Sequence, residues 1–270
     1  MRFTVLILVG FAGCGRPVGS TSVPPPASAS AVAPATASVA AQPARRTPEQ
    51  ALAALLDGRP PSEVPVVRLE GERVSIDGAP SGRVAPDQAG RIEEVYAALR
   101  ATREGWKRAH AEKPFPGLVV LRSSVATTVP SWKRLFSTAV ASGFPNVVVL
   151  FDEHLDRPFP IEPTIPGAPP GAMEPAIGIV HVQASGVTVA WNGEAPRAAI
   201  AAELGAGLCR GWKTHGRHRR ADDRRFDLLE LQLAGDASLA SLLPLGDAME
   251  SCRRTTAVGD EQAFFVRLAP

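Results

Sequence analysis

GLVVLRSSVATTVPSWKRLFSTAVASGFPNVVVLFDE, residues 117–153, holds a strand, a helix and a second strand in one continuous reading. Residues 117–121 are an unbroken apolar run of the kind expected in a strand buried on both faces, and residues 146–151 are another. Between them Pro130 opens a helix in which Trp132, Leu135, Phe136, Ala139 and Val140 recur at i, i+3, i+4, i+7 and i+8. That spacing makes one apolar face, and Gly143 is placed to cap the end.

Toward the N-terminus, VPVVRLEGERVSIDG at residues 64–78 alternates apolar and polar residues around a Glu-Gly turn, which predicts two short strands. A helix is expected from about Pro86 to His110, with Ile92, Val95, Tyr96, Leu99 and Trp106 on one face and Pro114 and Gly117 ending it. Thr47-Pro48-Glu49-Gln50 has the form of a helix start, leading to a short helix through Leu56. Toward the C-terminus, residues 157–175 carry seven prolines and little periodicity, so they read as a stiff linker. Beyond it come two alternating strands in IGIVHVQASGVTVAW, a helical stretch from Pro196 to Trp212, the strand FDLLELQL, a helix between Leu239 and Cys252, and a last strand in QAFFVRL.

The order strand, strand, helix, strand, helix, strand thus occurs twice, which predicts an internal duplication. Gly105-Trp106-Lys107 and Gly211-Trp212-Lys213 fall at the same step of each copy, each followed closely by a histidine. Glycine is costly inside a helix, and Gly205, Gly207 and Gly211 make the second copy the weaker. The expected divisions are 1–13, 14–46, 47–156, 157–175 and 176–270.

The first copy, from about Val66 to Glu153, resembles the periplasmic domain of the ExbD/TolR biopolymer-transport family through VSIDGAP before its first helix and the strand–helix–strand run quoted above. The second copy resembles it in element order and scattered positions. The resemblance implies an α+β fold of two tandem modules, each with two helices packed on one face of a small mixed sheet. It also implies association with envelope proteins or peptidoglycan. Family members carry an N-terminal transmembrane helix with an aspartate used in proton-driven work, and this chain shows neither. The proton-coupled role is therefore not expected, and what remains is a binding domain.

The N-terminus, MRFTVLILVGFAGCGRP, has one arginine, an apolar run too short to span a bilayer, and small residues leading into Cys14. It resembles the lipobox of bacterial lipoproteins, with Phe11 where a leucine is usual. This implies a signal peptide over 1–13 and a lipid-bearing Cys14, which places the chain in the periplasm, anchored by lipid at the outer membrane. Residues 14–46 are rich in Pro, Ala and Ser and bury too little apolar surface to fold, so they read as a disordered tether. With Cys14 acylated, Cys209 and Cys252 remain as a pair in an oxidising compartment, where a disulfide would join the two helices of the second copy.

A formal charge of +2 over 270 residues is too slight for a dedicated nucleic-acid binder. There is no Gly-x-Ser-x-Gly, Ser-x-x-Lys, His-Glu-x-x-His, phosphate-binding glycine loop or Cys-x-x-Cys, so no enzyme activity and no cofactor is expected. RGWKTHGRHRRADDRR, residues 210–225, is the strongest local signal, with seven basic residues and two histidines in sixteen positions. His215, His218, Asp222 and Asp223 have the residue types of a zinc site, but interleaved arginines oppose a divalent cation and no metal is expected. Its first residues read as a helix end. The rest is an enlarged helix-to-strand connection in which Arg217, Arg219, Arg220, Arg224 and Arg225 form a candidate contact surface for an acidic partner protein or peptidoglycan. The alternatives are an accessory subunit of an ExbB/TolQ-type energy-transducing complex and a cell-wall hydrolase.

Overall fold

The structure is a computed structural model that describes residues 64–85, 89–163, 175–199, 203–223, 225–256 and 259–269. The signal segment, Cys14, the tether, the helix expected after Thr47, most of the expected linker and Arg224 lie outside the described residues.

The first half runs β1 (Val66–Glu70), β2 (Arg73–Ile76), β3 (Ala79–Arg83), α1 (Glu93–Ala109), β4 (Leu118–Ser123), α2 (Val129–Ala141), β5 (Asn146–Phe151) and β6 (His154–Pro163). The second half runs β7 (Gly178–Gln183), β8 (Gly186–Trp191), β9 (Arg197–Ala199), α3 (Leu204–His215) and β10 (Asp227–Leu233). A 3₁₀ turn (Leu239–Leu242) then enters α4 (Leu243–Ser251), followed by β11 (Arg253–Thr256), β12 (Gly259–Gln262) and β13 (Phe264–Leu268). The fold is α+β, as the sequence reading expects.

Two separate small sheets are not what forms. Among the described residues eleven strands make one sheet in the order β3-β2-β1-β4-β5-β6-β13-β10-β7-β8-β9, and β11 and β12 form a separate hairpin. Read inward from either end, three antiparallel meander strands are followed by two strands contributed through helices, and the two series meet at β6. Both halves fall within one compact unit. β6 runs antiparallel to β5, with Val147 opposite Ile161, and parallel to β13, with Val266 opposite the same Ile161. The first seven residues of the expected linker are therefore the middle of the sheet. Prolines withhold backbone donors and mark strand edges in isolation. Here the pairing with β13 covers only three residues, Ile161–Pro163, and the ladder to β5 carries an irregularity between Val149 and Phe151.

Two further strands correct the sequence reading. Asp77 and Gly78 both have positive φ, 50° and 81°, the geometry of the two-residue turn that matches sheet twist, and it sends the chain back as β3. Pro80 and Gly82 weaken the strand pattern there, and both are tolerated because β3 is a sheet edge. Arg197–Ala199, expected in a helix, instead pairs with β8 as β9. Its alanines are good helix formers, and strand pairing overrides that preference.

Strand alternation puts Val67, Leu69, Val119, Leu121, Val147 and Val149 on one face with Val180, Val182, Leu229, Leu231 and Val266, and the helices cover that face. In α1 the buried Val95 and Leu99 face this core, with Glu93 and Glu94 in the first turn and Lys107 and Arg108 in the last, matching the helix dipole. α2 follows the expected pattern: Pro130 lies in its first turn, Trp132, Leu135, Phe136 and Ala139 are buried, and Gly143 takes φ 95° beyond its end. Cys209 of α3 and Cys252 after α4 form a disulfide across Cα atoms 5.4 Å apart.

Candidate functional site

The two Gly-Trp-Lys repeats fall near the ends of α1 and α3, and their tryptophans pack differently. Trp106 is half-buried and stacks on His110, centroids 4.5 Å apart, with the edge of Phe115 against it. Trp212 is buried, and its indole Nε1–H donates to Asp227 at 2.9 Å. The glycines differ as well. A Cβ on Gly105 would stand in open space, touching only the tip of Arg108 at 4.0 Å, whereas one on Gly211 would strike the indole of Trp191.

Asp227 organises the basic loop. It opens β10 on the helix-covered face and is 1% exposed. A carboxylate so placed must be compensated by donors. The donors are Trp212 Nε1, the Arg217 backbone N–H at 2.9 Å and the His218 backbone N–H at 3.1 Å. The chain can turn this tightly after α3 because residue 216 is glycine: a Cβ there would come within 2.6 Å of the Trp212 carbonyl oxygen.

A second buried charge closes the loop from the other side. Arg254 of β11, 3% exposed, donates through Nη1 to the His218 carbonyl at 2.7 Å, pairs with Glu261 of β12 at 3.3 Å and lies over the Phe226 ring at 4.5 Å. His218 is itself buried, and its Nδ1 is 2.8 Å from Asp223 Oδ2. The Arg225 backbone N–H and His218 together hold the Asp223 carboxyl well below the usual carboxylate range, against the opposing effect of burial. The loop is thus fixed to β10, to α3 and to the β11–β12 hairpin.

Of the five arginines expected to form a contact surface, Arg217, Arg219, Arg220 and Arg225 are exposed and Arg224 lies outside the described residues. Arg219 donates to the Lys213 carbonyl, Arg217 reaches the Pro175 carbonyl at 3.3 Å, Arg220 pairs with Asp222 at 3.0 Å, and Arg225 with Asp223 at 3.3 Å. The two histidines do not converge. His215 Nε2 is 3.2 Å from Glu194 and its ring stacks on Trp191, centroids 5.4 Å apart, while His218 turns to Asp223. No grouping of three or more potential metal ligands occurs among the described residues. Sequence reasoning missed Asp227 and Arg254. A carboxylate at the head of DLLELQL, directly before two leucines, was the available signal for the first; Arg254 sits in an unrecognised hairpin and gave none.

Beside the loop, α3, β8 and β9 enclose a cleft of about 390 Å³. Trp191, Ala198 and Ala199 supply exposed apolar surface over the buried Val189, Leu204 and Leu208, and Glu194, Arg197, Glu203, Arg210 and His215 supply charge or hydrogen-bonding groups. Glu194 is shared between Arg197 at 3.3 Å and His215 at 3.2 Å. A second hollow, of about 510 Å³, lies on the other side of the sheet beside β1 to β4. There Arg68 and Arg122 both pair with Asp152, and Arg68 also pairs with Glu70 at 2.7 Å.

Comparison with protein-family models, with curated proteins and with solved structures finds no match for this chain.

Proposed function

We propose that this protein is a non-catalytic cell-envelope lipoprotein with two ExbD/TolR-like halves, binding a periplasmic protein partner or peptidoglycan through the arginine-bearing loop at residues 217–225. The observation that carries the reading is the construction of that loop. Asp227, Arg254 and His218 are buried beneath it and hold its backbone, while Arg217, Arg219, Arg220 and Arg225 face solvent. An anchored cationic surface loses less conformational entropy on meeting an anionic partner than a loose one does. The Cys209–Cys252 disulfide agrees with an oxidising compartment. The strand order that repeats inward from both sheet edges agrees with two like halves.

The test is co-sedimentation of the purified protein with peptidoglycan sacculi, paired with recovery of partners from cross-linked envelopes. Binding in either assay that falls when Arg219 and Arg220 are both changed to glutamate is the expected result. Recovery of neither ligand, or binding indifferent to those changes, refutes the proposal.

A further inference from the structure

The three glycines of α3 have three different surroundings. A Cβ on Gly205 would make ordinary contact with Ala248 of α4 at 3.5 Å, and Gly211 is needed for the close approach of Trp191. Gly207 has nothing within 4 Å of where a Cβ would stand, yet it lines the cleft against β9. Glycine is the poorest helix former after proline, and nothing inside the fold requires it at this position. Its effect is to leave room.

The corresponding place in the first half is closed. There the first turn of α1 lies against β3: a Cβ on Gly82 would be 3.2 Å from Val95 and 3.3 Å from Glu94. α1 begins 13 residues before Trp106, whereas α3 begins 8 residues before Trp212. The later start of α3 leaves the cleft open beside β9.

Two charged residues flank Gly207 on the cleft side of α3, Glu203 at its N-terminal end and Arg210. Neither has an ion-pair partner among the described residues. Seven residues of α-helix separate them by about 10 Å, which is also about the span of three residues of extended chain. β9 terminates the sheet, so the main chain of Arg197–Ala199 has no strand beyond it among the described residues. Extended peptides are recognised by pairing with such an edge while side chains or termini are read alongside.

We infer that this cleft binds an extended peptide end of about three residues, its main chain along β9 and over Gly207, its C-terminal carboxylate at Arg210 and its cationic end at Glu203. The apolar surface the cleft exposes comes from Trp191, Ala198 and Ala199, with Val189, Leu204 and Leu208 buried beneath it, and it suits small uncharged side chains between those ends. This site is separate from the arginine loop and does not rest on the function proposed for it.

The test is calorimetric titration of the purified protein with the tripeptide Leu-Ala-Leu, once with free termini and once amidated at the C-terminus. Binding of the free peptide with a dissociation constant below about 1 mM is expected. Amidation and Arg210→Gln should each weaken it about tenfold, and the two together no more than either alone. Gly207→Leu should abolish binding without lowering the unfolding temperature, because the space is open and leucine is the better helix former. No binding to the wild-type protein overturns the site. Undiminished binding by Gly207→Leu overturns its location, and an amidation effect that persists in Arg210→Gln overturns the role of Arg210.

Discussion

Gly207→Ala and Gly211→Ala make the same chemical change one helical turn apart on α3, and the structure assigns them opposite signs. In a helix interior the exchange is worth about 1 kcal/mol in favour of alanine. At Gly207 nothing lies within 4 Å of the new methyl group, so this gain should be realised almost whole. At Gly211 the methyl would fall 2.5 Å from Trp191 Nε1 and closer still to Cε2 and Cζ2. Carbon contacts are comfortable only at about 3.5–4.0 Å, so the indole must move by about 1 Å or more. Overpacking of this kind costs about 1–3 kcal/mol, and displacing the ring from His215 forfeits up to about 1 kcal/mol more. Set against the helix gain, Gly211→Ala should destabilise by about 2 kcal/mol, leaving the two variants about 3 kcal/mol apart. Urea unfolding at pH 7 reads the difference directly. With a slope of about 2 kcal/mol per molar, the midpoints should separate by about 1.5 M. Midpoints that move together, or a Gly211→Ala protein as stable as wild type, would refute both the packing of Trp191 on α3 and the sorting of these glycines.

Other consequences can be checked with the same unfolding assay. The disulfide closes a loop between residues 43 apart in sequence, so replacing Cys209 and Cys252 by alanine should cost about 4 kcal/mol, with the reduced wild type matching the variant. Asp227→Ala strands three donors, two of them backbone N–H groups, and should destabilise by about 3 kcal/mol or more while changing the near-ultraviolet signal of Trp212. The Asp223 carboxyl titrates lower in the folded chain than its ordinary value of 3.8, so its stabilising contribution is complete above that value and is lost as pH falls through the folded one. The stability gap between wild type and Asp223→Asn should therefore shrink on acidification, and a gap that widened would reverse the sign of the argument. Arg219→Glu with Arg220→Glu should lower the unfolding free energy by no more than about 1 kcal/mol, since both side chains are exposed and the contacts they lose, with the Lys213 carbonyl and Asp222, lie at the surface.

Elements whose signal is local could be read from the chain by itself. Residues 117–153 announce β4, α2 and β5 because apolar runs and a 3.6-residue apolar stripe arise from burial within one short segment. The Gly-Trp-Lys pairs place the ends of α1 and α3, and the two remaining cysteines suggest their own pairing. The tertiary structure alone decided what depends on partners distant in sequence. The proline-rich run at residues 157–163 is the central strand because β5 and β13 each offer it an edge. Arg197–Ala199 is a strand because β8 pairs with it. Arg217, Arg219, Arg220 and Arg225 are an anchored surface because Asp227 and Arg254 are buried beneath them, and Arg254 arrives from a hairpin 36 residues beyond His218. Gly207 lies beside open space rather than another element, which depends on where α3 begins relative to β9. A residue's periodicity is written in its neighbours along the chain; what it touches across the sheet is set by the packing of segments that its own sequence does not describe.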